Sequence, residues 1–435
     1  MTLHRVAVLL VVGLGGVGPA LYGQERSVTL ADAIRLSERV QPLMVRAAGE
    51  VETAVAQRRS AWGAYLPSLS ANSSASTFSS EGPSRVDPVT GQVVSGNASN
   101  NSLNAALSAS LDLFTGLRRG AEMSAARANQ NAAEASYVDA RFQQALTTTN
   151  QFLDALASLQ LVTVRETSVR RAEEQLKTSI AKLRAGSATR SDSLRSRVTL
   201  GSAQLELIRA QSDLASAEAG LARLIGETGR VRALDDSAFY RIVEPPDTAA
   251  LRAEAEARSP RIQSASADAD AARAGLKASR AAYWPSLALS VNTAWNASRS
   301  ADYEFFNQRS LNLGFQWNLF NGFQRELAIT QQAVSADLAE ATAADERRAV
   351  GAELTARLAE LEAARSQVEI TQTSVVAAEE DLRVQQERYR LGASTIVDVL
   401  TSQEALNQAE VDVVVARFDY LRAKASLEAL IGRNL

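Results

Sequence analysis

Imidazole and thiol chemistry are closed to this chain before any fold is considered. Its 435 residues contain no Cys and one His, His4, which lies in an apolar N-terminal segment. Neither Ser-His-Asp nor Cys-His nucleophilic catalysis can be assembled, nor a zinc site of His or Cys ligands. Carboxylates are plentiful, with 49 Asp and Glu against 46 Lys and Arg, but no spacing singles out a pair for acid–base work. An enzyme is therefore not expected, nor a cofactor or metal. The balanced charge lacks the basic excess of a nucleic-acid binder. A content of 46% hydrophobic and 22% charged residues is too apolar for a disordered chain. What remains is electrostatics: charged side chains held at fixed points, and the elements that hold them there.

Residues 1–23 read as an export signal. Arg5 supplies the positive start, Val6 to Val17 an apolar core of 12 residues, and Gly18, Ala20 and Gly23 the small residues of a cleavage site within 20–23. A spanning helix needs about 20 apolar residues, so a retained anchor is the weaker alternative. No Cys follows to carry a lipid, and no later segment has 18 uninterrupted apolar residues.

The rest is a tandem duplication. Tyr65-Leu66-Pro67-Ser68-Leu69 returns as Tyr283-Trp284-Pro285-Ser286-Leu287, offset by 218, and Pro42 returns as Pro260. Leu113-Phe114-Thr115-Gly116 returns as Leu319-Phe320-Asn321-Gly322, offset by 206, and residues 182–227 align without a gap to 388–433 with 16 identities in 46 positions. The first copy thus holds 12 extra residues, which fall in the Gly-, Pro-, Ser- and Asn-rich stretch 79–101, a loop by composition. The expected units are 24–235 and 236–435.

All nine prolines lie at 19, 42, 67, 83, 88, 245, 246, 260 and 285, and Gly is absent from 121 to 185. Pro costs about 3 kcal/mol and Gly about 1 kcal/mol inside a helix, so the clear stretches predict long helices. Val162, Val169, Leu176 and Leu183 recur every seven residues, as do Leu200, Leu207, Leu214 and Leu221 and their counterparts Leu406, Val413, Tyr420 and Leu427. That is a coiled-coil seam. The expected helices run over about 117–185 and 190–226 in the first copy. In the second they cover about 248–282, 323–390 and 394–431. At 1.5 Å per residue the first is about 100 Å long.

Between the helices the period falls from seven to two. Leu103, Ala105, Leu107, Ala109, Leu111 and Leu113 alternate with small or polar residues; so do Leu287, Leu289, Val291, Thr293 and Trp295, and Leu311, Leu313, Phe315, Trp317 and Leu319. A weaker strand covers 66–77. One hairpin per copy follows, at about 64–114 and 284–320. Strands of about ten residues, apolar on one face only, fit a transmembrane β-barrel, although a half-buried strand of a soluble sandwich alternates in the same way. Trp62, Trp284, Trp295 and Trp317 all lie in or beside these strands, as an interfacial aromatic belt requires. Four strands cannot close a barrel, for which about eight are needed, and lipid tolerates no open edge. Several chains must therefore share one barrel, and three would give twelve strands.

The tip sequence Arg388-Tyr389-Arg390-Leu391-Gly392-Ala393-Ser394-Thr395-Ile396-Val397-Asp398-Val399-Leu400, with its counterpart running from Leu183 to Asp192, resembles the periplasmic turn of the TolC family of outer-membrane efflux channels. The order of elements resembles that family over essentially the whole mature chain. The resemblance implies a mainly α fold with a β-barrel portion: a homotrimer, a twelve-stranded barrel in outer-membrane lipid, and a helical tunnel through the periplasm. It implies as partners a periplasmic adaptor (membrane fusion) protein and an inner-membrane RND or ABC transporter, the chain being the exit duct of an efflux pump or type I secretion system. Residues 227–247, with Pro245-Pro246, would form a belt around the tunnel, and 79–101 and 297–309 the cell-surface loops.

In that family carboxylates at the inward-bent tips narrow the entrance. Asp398 matches such a position and Asp192 is its repeat partner, so a trimer would hold six carboxylates near one axis. Such a ring favours cations and raises the pKa of its members. Thr189-x-x-Asp192 and Thr395-x-x-Asp398 equally fit capping boxes, and the two roles are compatible. Where well-known members carry a second acidic ring, this chain has Thr401 and Arg195, which weakens the case for cation selectivity. Gly186 and Gly392 suit the positive-φ turn of a helical hairpin; with Ala185 and Leu391 they are the candidate adaptor contacts. The competing architectures are a secreted or periplasmic helical scaffold and a pump adaptor. An adaptor would show one helical hairpin flanked by substantial β-domains, which the duplication fits poorly.

Overall fold

The computed structural model describes residues 26–94, 98–236, 248–298 and 304–433. The expected signal 1–23, the Pro245-Pro246 part of the belt and the centre of the 297–309 loop lie outside the described residues. In chain order the elements are β1 (Arg26–Val28), α1 (Leu30–Val40), α2 (Pro42–Gly63), β2 (Ser68–Ser80), β3 (Arg85–Val86), β4 (Val93–Val94), β5 (Ala98–Phe114), α3 (Arg118–Arg184) and α4 (Arg190–Ile225). There follow β6 (Val231–Ala233), α5 (Thr248–Arg258), α6 (Pro260–Arg280), β7 (Ser286–Ser298), β8 (Phe306–Gln316), α7 (Gln324–Arg390) and α8 (Ile396–Ile431).

The body is helical. α3 and α7 each have 67 residues and α4 and α8 each have 36, so the long helices extend about 100 Å. α4 and α8 cover the tip halves of the long pair, and α2 and α6 cover the sheet halves. The single helix expected over 248–282 is in fact two helices and a 3-10 turn at Ala281–Tyr283, because Pro260 opens α6 at its first turn. Proline brings no N–H, and the first turn of a helix needs none. Pro42 opens α2 in the same way after Gln41. The C-terminal glycines of α4 and α8 abut these two breaks, Gly226 against Val40 and Gly432 against Pro260.

The main apolar core lies where the centres of α3 and α7 meet the ends of the shorter helices. Phe152, Leu156, Leu221, Leu251, Leu354, Phe418, Leu427 and Ile431 are buried together there, beneath the parallel pair β1–β6. Toward the tip the seam changes character. Val169, Leu176, Leu183, Leu200, Leu207 and Leu214 are only half-buried, while Ser168, Ala172, Gln175, Ser179 and Ser196 are buried. The heptad leucines of the first copy thus flank a seam of small and polar side chains, tied by the 2.8 Å bond between the Ser179 and Ser196 hydroxyls. Across α3 and α8, Arg171 donates to Glu410 at 2.7 Å and to Asn407 at 2.8 Å.

At the other end β2, β5, β7 and β8 form one antiparallel sheet in that order. The register aligns one face throughout: Leu69 opposite Ala109, Ala109 opposite Val291, Val291 opposite Leu311. The other face carries hydroxyls and amides that bond across strands, as Ser68 to Ser110 at 2.6 Å, Ser76 to Ser102 at 2.7 Å and Ser108 to Asn292 at 2.8 Å. β2 and β8 are edges without a partner among the described residues. The strand expected at 311–319 lies earlier, at 306–316, since Trp317 to Phe323 are taken up by the turn into α7. The stretch 79–101, expected as a loop, contributes the ends of β2 and β5 and the small hairpin β3–β4. Asp87 builds that hairpin's turn by accepting from the Val89 N–H at 2.8 Å.

Sheet passes to shaft through two consecutive positive-φ residues in each copy, Gly116-Leu117 and Gly322-Phe323, with φ from 62 to 67°. A Cβ on Gly116 would stand 2.4 Å from the Trp284 Cβ and 3.0 Å from the Ala281 carbonyl, whereas one on Gly322 would meet nothing within 4 Å. Gly322→Ala therefore carries only the cost of its backbone conformation, on the order of 1 kcal/mol, and Gly116→Ala must also displace the 3-10 turn at Ala281 and the Trp284 that follows it. Thermal unfolding of the two variants should show the larger loss for Gly116→Ala; equal losses would contradict the packing of this junction.

Candidate functional site: the helical tip

At the tip the predicted residues come together. α3 ends at Arg184 and α4 begins at Arg190; α7 ends at Arg390 and α8 begins at Ile396. Each pair is joined by a short turn in which Gly186 (φ 75°) and Gly392 (φ 78°) take the left-handed conformation beside Ala185 and Leu391. All four are exposed, with nothing within 4 Å of either glycine's missing Cβ.

Asp192 and Asp398 are the third helical residues of α4 and α8, and both close complete capping boxes. The Thr189 N–H donates to Asp192 at 2.8 Å, and the Asp192 N–H to the Thr189 hydroxyl at 3.2 Å. The Thr395 N–H and hydroxyl both donate to Asp398 at 2.8 Å. These donors, the backbone one first, hold the Asp398 carboxyl below its ordinary value of 3.8. That is the reverse of the upward shift expected of a carboxylate ring, because within one chain the cap acts on this group and no second carboxylate does. Arg195 and Thr401, one turn further on, face a groove of about 930 Å³ between α4 and α8, whose walls include Leu194, Val198, Val397 and Leu400.

One tip residue carried no sequence signal. Lys182, on the last turn of α3, donates to the Tyr389 and Arg390 carbonyls, the latter at 3.3 Å, and stands 4.3 Å from the centre of the Tyr389 ring. A cation over an aromatic face and at a helix C-terminus is favoured twice, and here it fastens the two helical hairpins together. Tyr389 itself is buried, and burial pushes its phenol upward.

The four tryptophans lie at the opposite end. Trp62 closes α2, while Trp284 and Trp317 flank the start of β7 and the end of β8, where the Trp317 ring N–H donates to the Tyr283 carbonyl at 3.2 Å. Trp295 lies near the far end of β7, opposite Asn307. Trp295 lies eleven positions along the chain from Trp284, roughly 28 Å in height at the 3.3 Å rise and 40° tilt usual in barrels. All four are exposed.

A sheet with an outward apolar face, aromatic at both ends and mounted on a shaft of paired helices, defines a membrane-inserted β-structure carried on an α-helical stalk. The chain belongs to the outer membrane efflux protein family, whose description matches residues 34–227 and 251–433. It is similar to the outer membrane efflux protein BepC of Brucella suis, 26% identical over 286 residues that cover 64% of this chain and 62% of BepC. It is also similar to the pyoverdine export outer membrane protein OpmQ of Pseudomonas aeruginosa, 27% identical over 348 residues, 78% of this chain and 71% of that protein. The chain thus spans about three fifths of BepC. Among solved structures the fold resembles VceC of Vibrio cholerae, with TM-score 0.74 and 18% identity, covering 93% of this chain and 96% of that one. It likewise resembles the open-state MtrE channel of Neisseria gonorrhoeae, with TM-score 0.74 and 18% identity, covering 93% and 89%. The protein resides in the outer membrane and extends into the periplasm.

The cap makes a direct prediction. A carboxyl whose folded pKa is depressed stabilises above its unfolded value and loses that contribution as pH falls through the folded one. Amide-exchange protection at the start of α8 should stay constant from neutral pH down to about 4 and fall below it. Thr395→Val should remove about 1 kcal/mol of that protection at neutral pH, the usual worth of an N-cap; no loss would mean that the cap is not what starts α8.

Proposed function

We propose that three copies of this chain form an outer-membrane channel continued by a periplasmic helical tunnel, the exit duct of an efflux pump or a type I secretion system. The observation that carries this reading is the pair of open edges. β2 and β8, of 13 and 11 residues, each leave one edge without a partner among the described residues. In lipid each unsatisfied group costs several kcal/mol, so β8 of one copy must pair with β2 of the next. Three sheets of four make a twelve-stranded wall, with the leucine face toward lipid, the hydroxyl and amide face toward the lumen, and the tryptophans at the two interfaces.

The shaft supports the same ring. α4 packs on α3, α3 on α8 and α8 on α7, leaving α4 and α7 as lateral edges. Leu194, Val198, Leu205 and Ile208 lie exposed on α4, and Ile370, Val376 and Val384 on α7. Joining one edge to the other is a head-to-tail contact that closes by rotation. On this reading residues 1–23 are the export signal, 24–235 and 236–435 are copies of one unit, and Ala185, Gly186, Leu391 and Gly392 meet a periplasmic adaptor linked to an inner-membrane transporter. The work is conduction. OpmQ exports pyoverdine and AprF of Pseudomonas aeruginosa serves alkaline protease secretion, so cargo is set outside the common duct.

The purified protein should run as a trimer on an unheated gel, collapse to a monomer on boiling and conduct in planar bilayers. A soluble, non-conducting monomer would overturn the proposal. Asp192→Asn with Asp398→Asn keeps an oxygen acceptor for each cap and removes six charges from the trimer. If these groups gate the entrance, conductance rises or cation preference falls; unchanged currents would leave them as caps alone.

A further inference from the structure

The duplication supplies an internal control, and at the tip the two copies differ in charge. Residues 180–200 carry five cations, Lys182, Arg184, Arg190, Arg195 and Arg197, against one carboxylate, Asp192; the equivalent 386–406 carries two cations against three carboxylates. In the second copy each arginine is satisfied locally: Arg390 on Glu387 at 3.0 Å and Arg388 on the Ala393 carbonyl at 3.3 Å. In the first copy Arg184 faces no such partner, because the position of Glu387 is Ala181. Arg190, Arg195 and Arg197 stand where the second copy has Ile396, Thr401 and Gln403. All four are exposed, and none lies within 4.0 Å of a carboxylate among the described residues.

This placement opposes the local fold. Arg190 occupies the first position of α4, where the helix dipole disfavours a cation, and the nearby Asp192 is engaged in the cap. Leu194 and Val198, 52% and 70% exposed, line the α4 wall of the groove shared with α8 together with Arg195, while Glu404 stands on the α8 wall; Arg190 and Arg197 lie on the same helix, outside that lining. That composition suits an amphipathic helix carrying carboxylates, which Arg engages through two parallel hydrogen bonds.

We propose that the first-copy tip, formed by Arg184, Arg190, Arg195 and Arg197 around Leu194 and Val198, is a docking site for an acidic helical segment of a partner protein. The second-copy wall of the groove carries Glu404 and no cation. The proposal deepens the adaptor reading above and rests on it: the adaptor helix that enters this groove presents carboxylates toward α4 and none toward Glu404 of α8. The docking is thereby polar, with one of the two hairpins of each chain distinguished from the other.

The test is fluorescence anisotropy on the purified full-length trimer with two labelled synthetic helical peptides. One carries Leu on one face and Glu on the other, and its counterpart carries Lys for Glu. The Glu peptide should bind, weaken by about tenfold or more as salt rises from about 0.05 to 0.3 M, and lose binding in Arg190→Glu/Arg195→Glu/Arg197→Glu. The Arg383→Glu variant, whose native side chain pairs with Glu380 in its own helix, should bind as the wild type does. The triple Gln variant serves as a second reading should the Glu variant fail to assemble. Equal binding of both peptides, or no effect of either triple variant, overturns the proposal. Capture of the protein by phosphatidylglycerol vesicles without binding of the Glu peptide overturns it in favour of a lipid partner. Bilayer conductance on the same preparations separates the two levels: a conducting trimer that ignores the peptide defeats the docking site alone, and a non-conducting monomer defeats the channel.

Discussion

Unpaired backbone at the two edges of the sheet is the constraint on which the rest depends. A four-stranded sheet with one apolar face could lie on a soluble core, but here most leucines of that face are exposed and the helices leave the sheet at its end rather than packing across it. Such a face is stable against lipid, and lipid accepts it only when every N–H and C=O is paired. On the proposed trimer the strand edges set the assembly, and the assembly is hollow, because twelve strands would enclose more space than side chains from their inner faces fill. The inner face agrees. Its Ser and Asn side chains bond laterally from strand to strand, which stiffens the wall and leaves its inner surface hydrophilic.

The shaft obeys a different rule. A wall of helices one layer thick has water on both sides, so its seams cannot bury apolar area as a globular core does. The large side chains are concentrated where several elements meet at mid-height; toward the tip the second copy keeps a small apolar cluster of Leu382, Tyr389, Ile396, Val399 and Leu406, whereas the first copy's seam turns to Ser, Ala and Gln. Packing of that kind contributes little per residue, and polar fasteners take over. Arg171 reaches across α3 and α8 to Glu410 with about four-fifths of its side chain removed from water. Removing one partner of such a pair is strongly destabilising, whereas the pair itself adds modestly. The first-copy tip helices are thus joined by specific links and little generic burial, unlike those of the second copy.

Periodicity made most of this legible. The switch from heptads to alternation located all four long strands, and the absence of Pro and Gly located the long helices. Pro260 was visible but misjudged in effect: the expected helix over 248–282 ran across it, whereas it opens a second helix at its first turn. The Thr-x-x-Asp spacing announced the capping boxes, since a cap is local and its partners lie three residues apart. Lys182 and Tyr389 were not legible, because they lie on different hairpins and meet only after both have folded. Leu117 and Phe323 were hidden for another reason. Positive φ at a bulky residue has no sequence signature, and the preceding glycines of the two repeats were the one visible trace.

Duplication also clarifies which features are structural. Helix lengths, capping boxes, tip glycines and positive-φ junctions recur in both copies, so each answers a demand that both copies face. Charge does not recur. Two hairpins with the same backbone and the same caps differ by five units of charge over equivalent spans of 21 residues, from a surplus of four cations to a deficit of one. Burial accounts for two positions, since Ile396 and Gln403 are buried where Arg190 and Arg197 are exposed, but the basic copy also places a cation against its own helix dipole, which fold stability does not call for. The difference must therefore answer something outside the chain that meets the two tips unequally. Three-fold closure would preserve that inequality around the ring, presenting six similar hairpins as two alternating kinds.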